Sequence, residues 1–377
     1  MQPSAAMVMT TIFDPVALED YFRNFERFGH LEHVRVILIP DRKTPQSAYE
    51  RCAALSKRGL HISCPNFEEQ ESFLKRVGLR PEMIPYNSDN RRNVGYLMAL
   101  EASADFIISV DDDNYCRVDE DFYSEHAVVC RPRAPAKCVE TDTGWFNICS
   151  LLTLDRPGPA YARGFPYFAR HKAENPRSRD AEVEIHVNAG LWLADPDMDG
   201  LSWMVNPVQA TALSNGSVNL SARAWTPVNS QNTALRREVI PGYYFVRMGH
   251  TLSGLPIDRY GDIFSGYFAQ ACVYHLGGTV RAGTPVAEHK RNSHNYVKDA
   301  MNEWACIVAL EDVLAWLPQA RLSGNSYGEA YTSLSHELES VAERSKGMIW
   351  TDTTRAYFHE LGGWMREWVE ACKRLGA

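Results

Sequence analysis

The sequence predicts an α/β fold with a mostly parallel central sheet, helices on both of its faces and a helical C-terminal extension. Over the first 115 residues, short apolar runs rich in Val and Ile alternate with segments whose apolar residues have helical spacing. This alternation is typical of parallel strands joined by helical crossovers. After residue 298, three amphipathic helical patterns follow one another, which predicts the C-terminal extension.

The N-terminal elements are placed by turn and capping signals. Asp14 and Pro15 look like an N-cap followed by proline at the first helical position, so we expect a helix that begins there and stops at Gly29. A second helix is expected over residues 92–104. The predicted strands are Ala6–Phe13, Val34–Pro40, Leu60–Ser63 and Asp105–Val110.

The middle of the chain, from about residue 117 to 260, is rich in Pro, Gly, Asn and Asp, which predicts mixed strands and long loops. The aromatic stripes of the C-terminal helices are most simply explained as core, with a partner-binding surface as the alternative. We therefore expect one large domain over residues 1–300 and a helical region over residues 301–377 that packs on it.

Composition excludes several classes of protein. The 39 basic and 47 acidic residues give a net charge of −8, which argues against a dedicated binder of nucleic acid or anionic membranes. No apolar run is long enough to span a membrane. Nine cysteines without a CxxC pair predict reduced thiols. Since the N-terminus has no basic signal-peptide region, we expect a cytoplasmic protein.

The most informative segment is DFIISVDDDNY, residues 105–115, in which an apolar run ends in three aspartates. Open α/β sheets bind ligands at the carboxyl ends of strands, and clustered carboxylates repel one another unless a cation or donors neutralise them. Asp111, Asp112 and Asp113 are therefore candidates for binding Mg²⁺ or Mn²⁺ with a diphosphate. An acidic turn is the structural alternative, and phosphatases and nucleases have similar strand ends.

Two further segments carry candidate metal or phosphate contacts. A predicted strand over residues 279–289 ends in Glu288 and His289, and this histidine is a reasonable third metal ligand. In RGFPYFAR, Arg163 and Arg170 are seven residues apart, and guanidinium groups match phosphate geometry. A structural histidine and carboxylate-paired arginines are the alternatives. The stretch after the strand is locally basic, with Lys290, Arg291, His294 and Lys298.

Six segments resemble motifs of the reversibly glycosylated polypeptides, the UDP-arabinopyranose mutase family. In chain order they are DDDN, RGFPYFAR, NAGLWLADPD, RYGDIFSGYF, HLGGTVRAGTP and EHKRNSHN. The family segments look like DDD-C, RGYPFSLR, HGLWLNIPDYD, RYDDMWAGW, HLGLGVKTGLP and WHSKASN. The resemblance runs from about residue 84 to 300. It implies a GT-A-like (Rossmann-like) fold, a UDP-sugar substrate and a divalent metal, with Mn²⁺ expected ahead of Mg²⁺.

The resemblance also implies roles for individual residues. Asp111, Asp113 and His289 would hold the metal. Arg163 falls on the arginine that the family glycosylates reversibly, and Arg170 falls on its companion. Asp262 matches an acidic residue of RYDD, and we expect it in catalysis with the two arginines. The expected contacts to the nucleotide sugar are Asp41, Asp111, Asp112, Trp192, Asp195, Arg259 and Arg291.

Some positions depart from the family pattern. Asp41 stands alone in IPDRK, where the family reads like QDGD, so the loop that the resemblance implies for uracil recognition has fewer acidic residues here. Gly261 replaces one carboxylate of RYDD. No motif covers the helices after about residue 318.

Three functions stay open on this basis. The leading hypothesis is a metal-dependent nucleotide-sugar enzyme, specifically a pyranose/furanose mutase, because the paired arginines are retained. The alternatives are a GT-A glycosyltransferase that uses a small-molecule or glycan acceptor, and a non-catalytic partner subunit that binds a nucleotide sugar. Because a protonated guanidinium is a poor nucleophile, physical chemistry alone favours Arg163 as a diphosphate clamp.

The resemblance also implies a homo-oligomer.

Overall fold

A computed structural model describes residues 2–291 and 295–377, and these residues form ten α-helices and fifteen strands. His294, one of the predicted basic residues, lies outside the described residues. The helices are α1 (Leu18–Phe28), α2 (Gln46–Lys57), α3 (Phe67–Arg76), α4 (Arg92–Glu101), α5 (Phe122–His126), α6 (Gly200–Val205), α7 (Gly261–His275), α8 (Tyr296–Trp316), α9 (Tyr327–Arg344) and α10 (Asp352–Arg374). The strands are β1 (Ala5–Thr11), β2 (Val34–Pro40), β3 (His61–Ser63), β4 (Phe106–Asp111), β5 (Asn114–Cys116), β6 (Ala134–Glu140), β7 (Leu152–Leu154), β8 (Arg177–Val183), β9 (Ile185–Ala194), β10 (Ala210–Leu213), β11 (Val218–Leu220), β12 (Asn232–Arg236), β13 (His250–Leu252), β14 (Leu255–Ile257) and β15 (Thr279–His289).

The N-terminal half of the sheet is parallel, as predicted. Its strand order is β3-β2-β1-β4, and each neighbouring pair runs in the same direction. Alternate residues of β1 face opposite sides, so Val8 packs with α4 while Met7 packs with α1. The predicted α/β class with helices on both faces is therefore confirmed. Helix α1 begins at Leu18 rather than at the Asp14 signal. A turn over residues 14–18 precedes it, and the Asp14 carboxylate pairs with Arg51 at 2.6 Å.

The second half of the sheet is mixed. Strand β12 is antiparallel to both β4 and β9, β15 is parallel to β9, and the sheet continues through β11, β6 and β8. In the described chain the whole sheet has thirteen strands, and β13 and β14 form a separate hairpin. The middle of the chain thus supplies the strands and long loops that its composition predicts.

The C-terminal helices are part of the main core. Trp368 of α10 is completely buried, and its indole Nε1 donates to the carbonyl of Ile240 at 2.8 Å. Tyr331 and Leu338 of α9 are also fully buried in the hydrophobic cluster that contains the sheet. The predicted C-terminal helical extension is confirmed. The aromatic side chains of α9 and α10 belong to the core, whereas Trp304 of α8 is 43% exposed. Within the described residues, no helix is long and apolar enough to cross a membrane.

The fold brings the predicted acidic residues to one edge of the sheet. Strands β1, β2 and β4 are parallel, so their carboxyl ends lie together at Thr11, Pro40 and Asp111. Strand β15 ends at the same edge, because it pairs with the short strand β5 and places His289 opposite Asn114. Residues far apart in the chain therefore meet at this edge.

Candidate functional site

All three strand-end aspartates accept hydrogen bonds from protein donors. The buried guanidinium of Arg92, on α4, forms an ion pair with Asp111, and it also donates to Ser109 Oγ at 2.9 Å. Asp112 accepts a hydrogen bond from the hydroxyl of Thr11, at the end of β1. These contacts fix the first two carboxylates, and Asp113 accepts from Asn114 Nδ2 at 3.0 Å.

The strand end concentrates negative charge. Burial, together with the charges of the other two aspartates, raises the pKa of Asp112 to about 6. Burial also raises the pKa of Asp111, because desolvation and the neighbouring Asp113 outweigh the ion pair with Arg92. A bound cation would relieve this repulsion.

Asp113 faces His289. The distance between Asp113 Oδ2 and His289 Nε2 is 3.5 Å, and His289 Nδ1 lies 2.7 Å from the carbonyl oxygen of Asp195. Because Nδ1 donates to that carbonyl, Nε2 is directed toward Asp113. Burial disfavours charge on both groups, but their attraction outweighs it, so the pKa of His289 is raised and that of Asp113 is lowered.

The arrangement fits a divalent cation that a substrate completes. Across residues 2–291 and 295–377, no three His, Cys, Asp or Glu side chains form a metal-binding group by themselves. Mg²⁺ and similar ions are usually held by one or two carboxylates, with phosphate oxygens and water filling the other positions. Asp113 and His289 supply two donors of suitable chemistry. Asp111 as a third ligand stays a prediction, since one of its oxygens is engaged by Arg92.

Arg163 is buried between two carboxylates. Its Nε and Nη2 donate to Asp197 at 2.9 and 3.1 Å, and its Nη1 and Nη2 donate to Asp262 at 3.0 and 2.8 Å. Nη1 also donates to the carbonyl of Arg259. All five N–H donors therefore have acceptors, so in this conformation Arg163 has no donor left for a diphosphate. The role of Arg163 as a diphosphate clamp stays a prediction.

Asp197 is the principal residue that the sequence analysis missed. In NAGLWLADPD the predicted contact is Asp195, but the Asp195 carboxylate accepts from Gln209 Nε2 at 2.5 Å on the protein exterior. Asp197, two residues later, is buried and pairs with Arg163. Burial alone would raise the pKa of Asp197, but the charge of Arg163 outweighs it and lowers that pKa to about 2. The DPD sequence gives no signal that separates the two aspartates.

Arg170 has a local structural partner. It donates to Asp199 at 2.7 Å and to Ser202 Oγ at 2.9 Å. Asp199 also caps α6, because its carboxylate accepts from the Ser202 backbone N–H at 2.7 Å. The carboxylate-paired alternative therefore describes Arg170, which fixes the beginning of α6, and a catalytic role for it stays a prediction.

Arg259 and Arg291 lie around the Arg163 group. Arg259 Nε donates to Glu303 of α8 at 3.1 Å. The Arg291 guanidinium packs over the rings of Trp203 and Tyr296, at 5.3 and 5.5 Å from their centres. In the part of the chain that the structure describes, its buried Nη1 has no hydrogen-bond partner. A contact between Arg291 and an anionic ligand stays a prediction.

The remaining predicted contacts differ in accessibility. Asp41 follows β2 at the same sheet edge, and its carboxylate accepts from the backbone N–H groups of Arg42 and Ser88 at 2.6 and 3.2 Å. Trp192 is 2% exposed within β9 and lies in the hydrophobic core, so its ring does not face solvent. Glu288 points away from the cluster and pairs with Lys290 at 3.8 Å.

The fold and this site define a class, an α/β protein that gathers carboxylates, a histidine and arginines at the carboxyl ends of its strands, where such sheets bind ligands. Sequence comparison adds the family. The profile of the family described as reversibly glycosylated polypeptide matches residues 64–377, and the chain belongs to this family.

Sequence identities to relatives and a comparison with a solved structure show how similar the chain is to known proteins. The chain is 26% identical over 301 residues to UDP-arabinopyranose mutase 1 of Arabidopsis thaliana, which covers 79% of this chain and 76% of the relative. It is 26% identical over 303 residues to UDP-arabinopyranose mutase 1 of Oryza sativa subsp. japonica, with 79% and 75% covered. A mannosyltransferase from Pyrobaculum calidifontis, solved with GDP-Man and Mn²⁺, is 10% identical with a TM-score of 0.42, over 98% of this chain and 86% of that chain. A TM-score at this level supports no statement about function.

Proposed function

We propose that this chain is a metal-dependent UDP-sugar mutase, which interconverts the pyranose and furanose forms of the sugar. The observation that carries the proposal is the buried Arg163, held by Asp197 and Asp262 beside an acidic strand end. The family membership supports it, because relatives of this chain are named UDP-arabinopyranose mutases.

Asp113 and His289 are the proposed metal ligands, with Mn²⁺ preferred to Mg²⁺. When bound, the cation would stabilise the negative charge of the departing diphosphate as a Lewis acid. The free donor of Arg291 is the proposed protein contact to the same diphosphate, since an arginine fork matches phosphate oxygens. Asp41, at the end of β2, is the proposed contact to the base.

A mutase must break the bond between the anomeric carbon and the diphosphate, and it must keep the sugar until it recombines. One arginine and two aspartates give the Arg163 group a formal charge of −1. This negative charge would stabilise the positive charge that develops at the anomeric carbon in the transition state. Burial of the group supports exclusion of water, which would otherwise capture the sugar. Asp262 is the proposed acceptor of the proton of the sugar hydroxyl that forms the new ring bond to the anomeric carbon. The proton then passes to the former ring oxygen as its bond to the anomeric carbon breaks.

We also propose a cytoplasmic location. All nine cysteines are free thiols, and seven of them are buried. Free thiols of this kind are typical of proteins from reducing compartments.

The proposal is tested by incubating the purified chain with UDP-arabinopyranose and Mn²⁺ in the absence of any acceptor. After chelation of the metal, chromatography should show UDP-arabinofuranose at a level that depends on the enzyme and on the metal. Free UDP and a glycosylated product that appear only with an added acceptor would indicate a transferase. Absence of both products, with no metal-dependent binding of UDP, would contradict a catalytic function.

A further inference from the structure

Helix α8 lies beyond the motifs that carry the family resemblance, yet one of its residues contacts the segments around Arg163. The Glu303 carboxylate is completely buried. It accepts from the backbone N–H of Gly200 at 2.8 Å and from Arg259 Nε at 3.1 Å. Burying a carboxylate without hydrogen-bond donors costs free energy. The structure therefore favours conformations in which Gly200 and Arg259 both donate to Glu303.

Arg259 links Glu303 to Arg163. Its backbone carbonyl is the acceptor for Arg163 Nη1. Arg259 has a φ of 64°, a left-handed conformation that is uncommon for residues other than glycine. Contacts from α8 hold the segment in this conformation. The Glu303 carboxylate accepts from the Arg259 side chain, Asp299 Oδ1 lies 3.8 Å from Arg259 Nη1, and the Asn302 carbonyl accepts from the Asp258 N–H at 3.0 Å.

The other contact of Glu303 is equally constrained. At Gly200, a Cβ atom would lie 2.7 Å from the Ala300 backbone nitrogen and 2.8 Å from the Tyr296 carbonyl oxygen. The α6 and α8 backbones therefore approach each other as closely as a glycine allows. Gly200 directly follows Asp199, the partner of Arg170. Glu303 thus connects the segments that orient both arginines of RGFPYFAR.

We propose that Glu303 is a positioning residue that holds Arg259 in the conformation whose carbonyl orients the Arg163 guanidinium. Its kinetic consequence rests on the proposed function, but its effect on Arg163 does not. No bond to substrate is assigned to Glu303.

The test compares Glu303→Gln with Glu360→Gln, an exposed glutamate on α10. Glutamine keeps an oxygen for the Gly200 N–H but turns an amide N–H₂ toward Arg259 Nε, so that contact is lost. In protein labelled with ¹⁵N-arginine, the Arg163 Nε–H resonance is assigned by its loss in Arg163→Lys. We expect this resonance to be displaced or broadened in Glu303→Gln and unchanged in Glu360→Gln. An unchanged resonance in Glu303→Gln would overturn the proposal without any reference to activity.

Kinetics give a second readout. We expect Glu303→Gln to lower kcat by about tenfold or more, with KM for the nucleotide sugar changed less than about twofold, because no nucleotide contact is removed. Arg259→Lys should lower kcat as well, and the double variant should be no slower than the slower single variant, since Glu303 acts on Arg163 through Arg259. Losses in kcat that multiply in the double variant would contradict the proposal.

If Glu303→Gln does not fold, Glu303→Asp takes its place in both measurements. This variant keeps the charge but retracts it by one methylene.

The two proposals fail differently. A wild-type chain with no turnover contradicts the proposed function, and the NMR comparison still decides the role of Glu303. A wild-type chain that turns over normally, with a Glu303→Gln variant that is equally active, contradicts the positioning role alone.

Discussion

At the scale of single residues, the burial of Arg163 changes the chemistry expected from its sequence context. An exposed arginine would be a diphosphate ligand, but this one has acceptors for all five donors. Its ion pairs with Asp197 and Asp262 stabilise the charged form, so the guanidinium stays protonated and is a poor nucleophile in the resting protein. Any covalent role would require one carboxylate to accept a proton from it.

Asp197→Asn tests the energetic importance of this group. Removing one partner of a buried ion pair costs about 3–5 kcal/mol, so we expect the urea midpoint at pH 7 to fall markedly. The folded-state pKa of Asp197, about 2, lies below its unfolded value. Its contribution is therefore fully present above the unfolded pKa, near 4, and is lost as the pH falls toward 2.

The difference between wild type and Asp197→Asn should accordingly shrink by on the order of 2–3 kcal/mol between pH 5 and pH 2. Asp180→Asn is the control, because Asp180 is exposed and pairs only with the exposed Lys137 in the described residues. It should leave the midpoint unchanged at every pH. A difference for Asp197→Asn that does not vary with pH would contradict the assigned ion pair.

Asp113→Ala tests the metal assignment. Because it removes one of two proposed ligands, we expect calorimetry to show no Mn²⁺-dependent binding of UDP, while metal-independent binding is retained. Asp119→Ala, an exposed aspartate a few residues away, should bind like the wild type. Unchanged affinity in Asp113→Ala would show that the metal, if bound, is held elsewhere.

At the scale of elements, the local patterns were predicted better than the distant contacts. The four N-terminal strands and the Asp111–Asp113 strand end follow from apolar runs that stop at polar residues, which is information within one segment. The sequence analysis missed Arg92, Asp197 and Glu303, because the partner of each lies far away in the chain. Their side-chain partners Asp111, Arg163 and Arg259 are 19, 34 and 44 residues away. Sequence periodicity does not encode such pairings. The division at residues 300 and 301 stays a prediction, although α8 runs across it.

Trp368→Ala tests whether the C-terminal helices are integral to the fold. Replacing a fully buried tryptophan with alanine costs about 3–5 kcal/mol, so we expect a large loss of thermal stability. Trp304→Ala on α8 is the matched control, because that side chain is 43% exposed and should cost much less. Similar losses in the two variants would contradict the placement of α10 in the core.

At the scale of the whole molecule, the site lies where two kinds of sheet meet. The parallel half provides the strand ends that carry Asp111 and Asp41, and the mixed half provides His289 at the end of β15. The loops between them contribute Arg163 and Asp197, and α8 closes this arrangement through Glu303. The proposed chemistry thus depends on the whole chain, and no single segment carries it.

The most direct test of the central claim uses a UDP-sugar with ¹⁸O in the bridge between the sugar and the β-phosphate. A mutase that breaks this bond and keeps both fragments allows the β-phosphate to rotate before recombination. We therefore predict that, with Mn²⁺ and no acceptor, the label moves into non-bridging positions, as ³¹P NMR detects after removal of the metal. Ring interconversion with the label retained in the bridge, or neither process, would contradict the account.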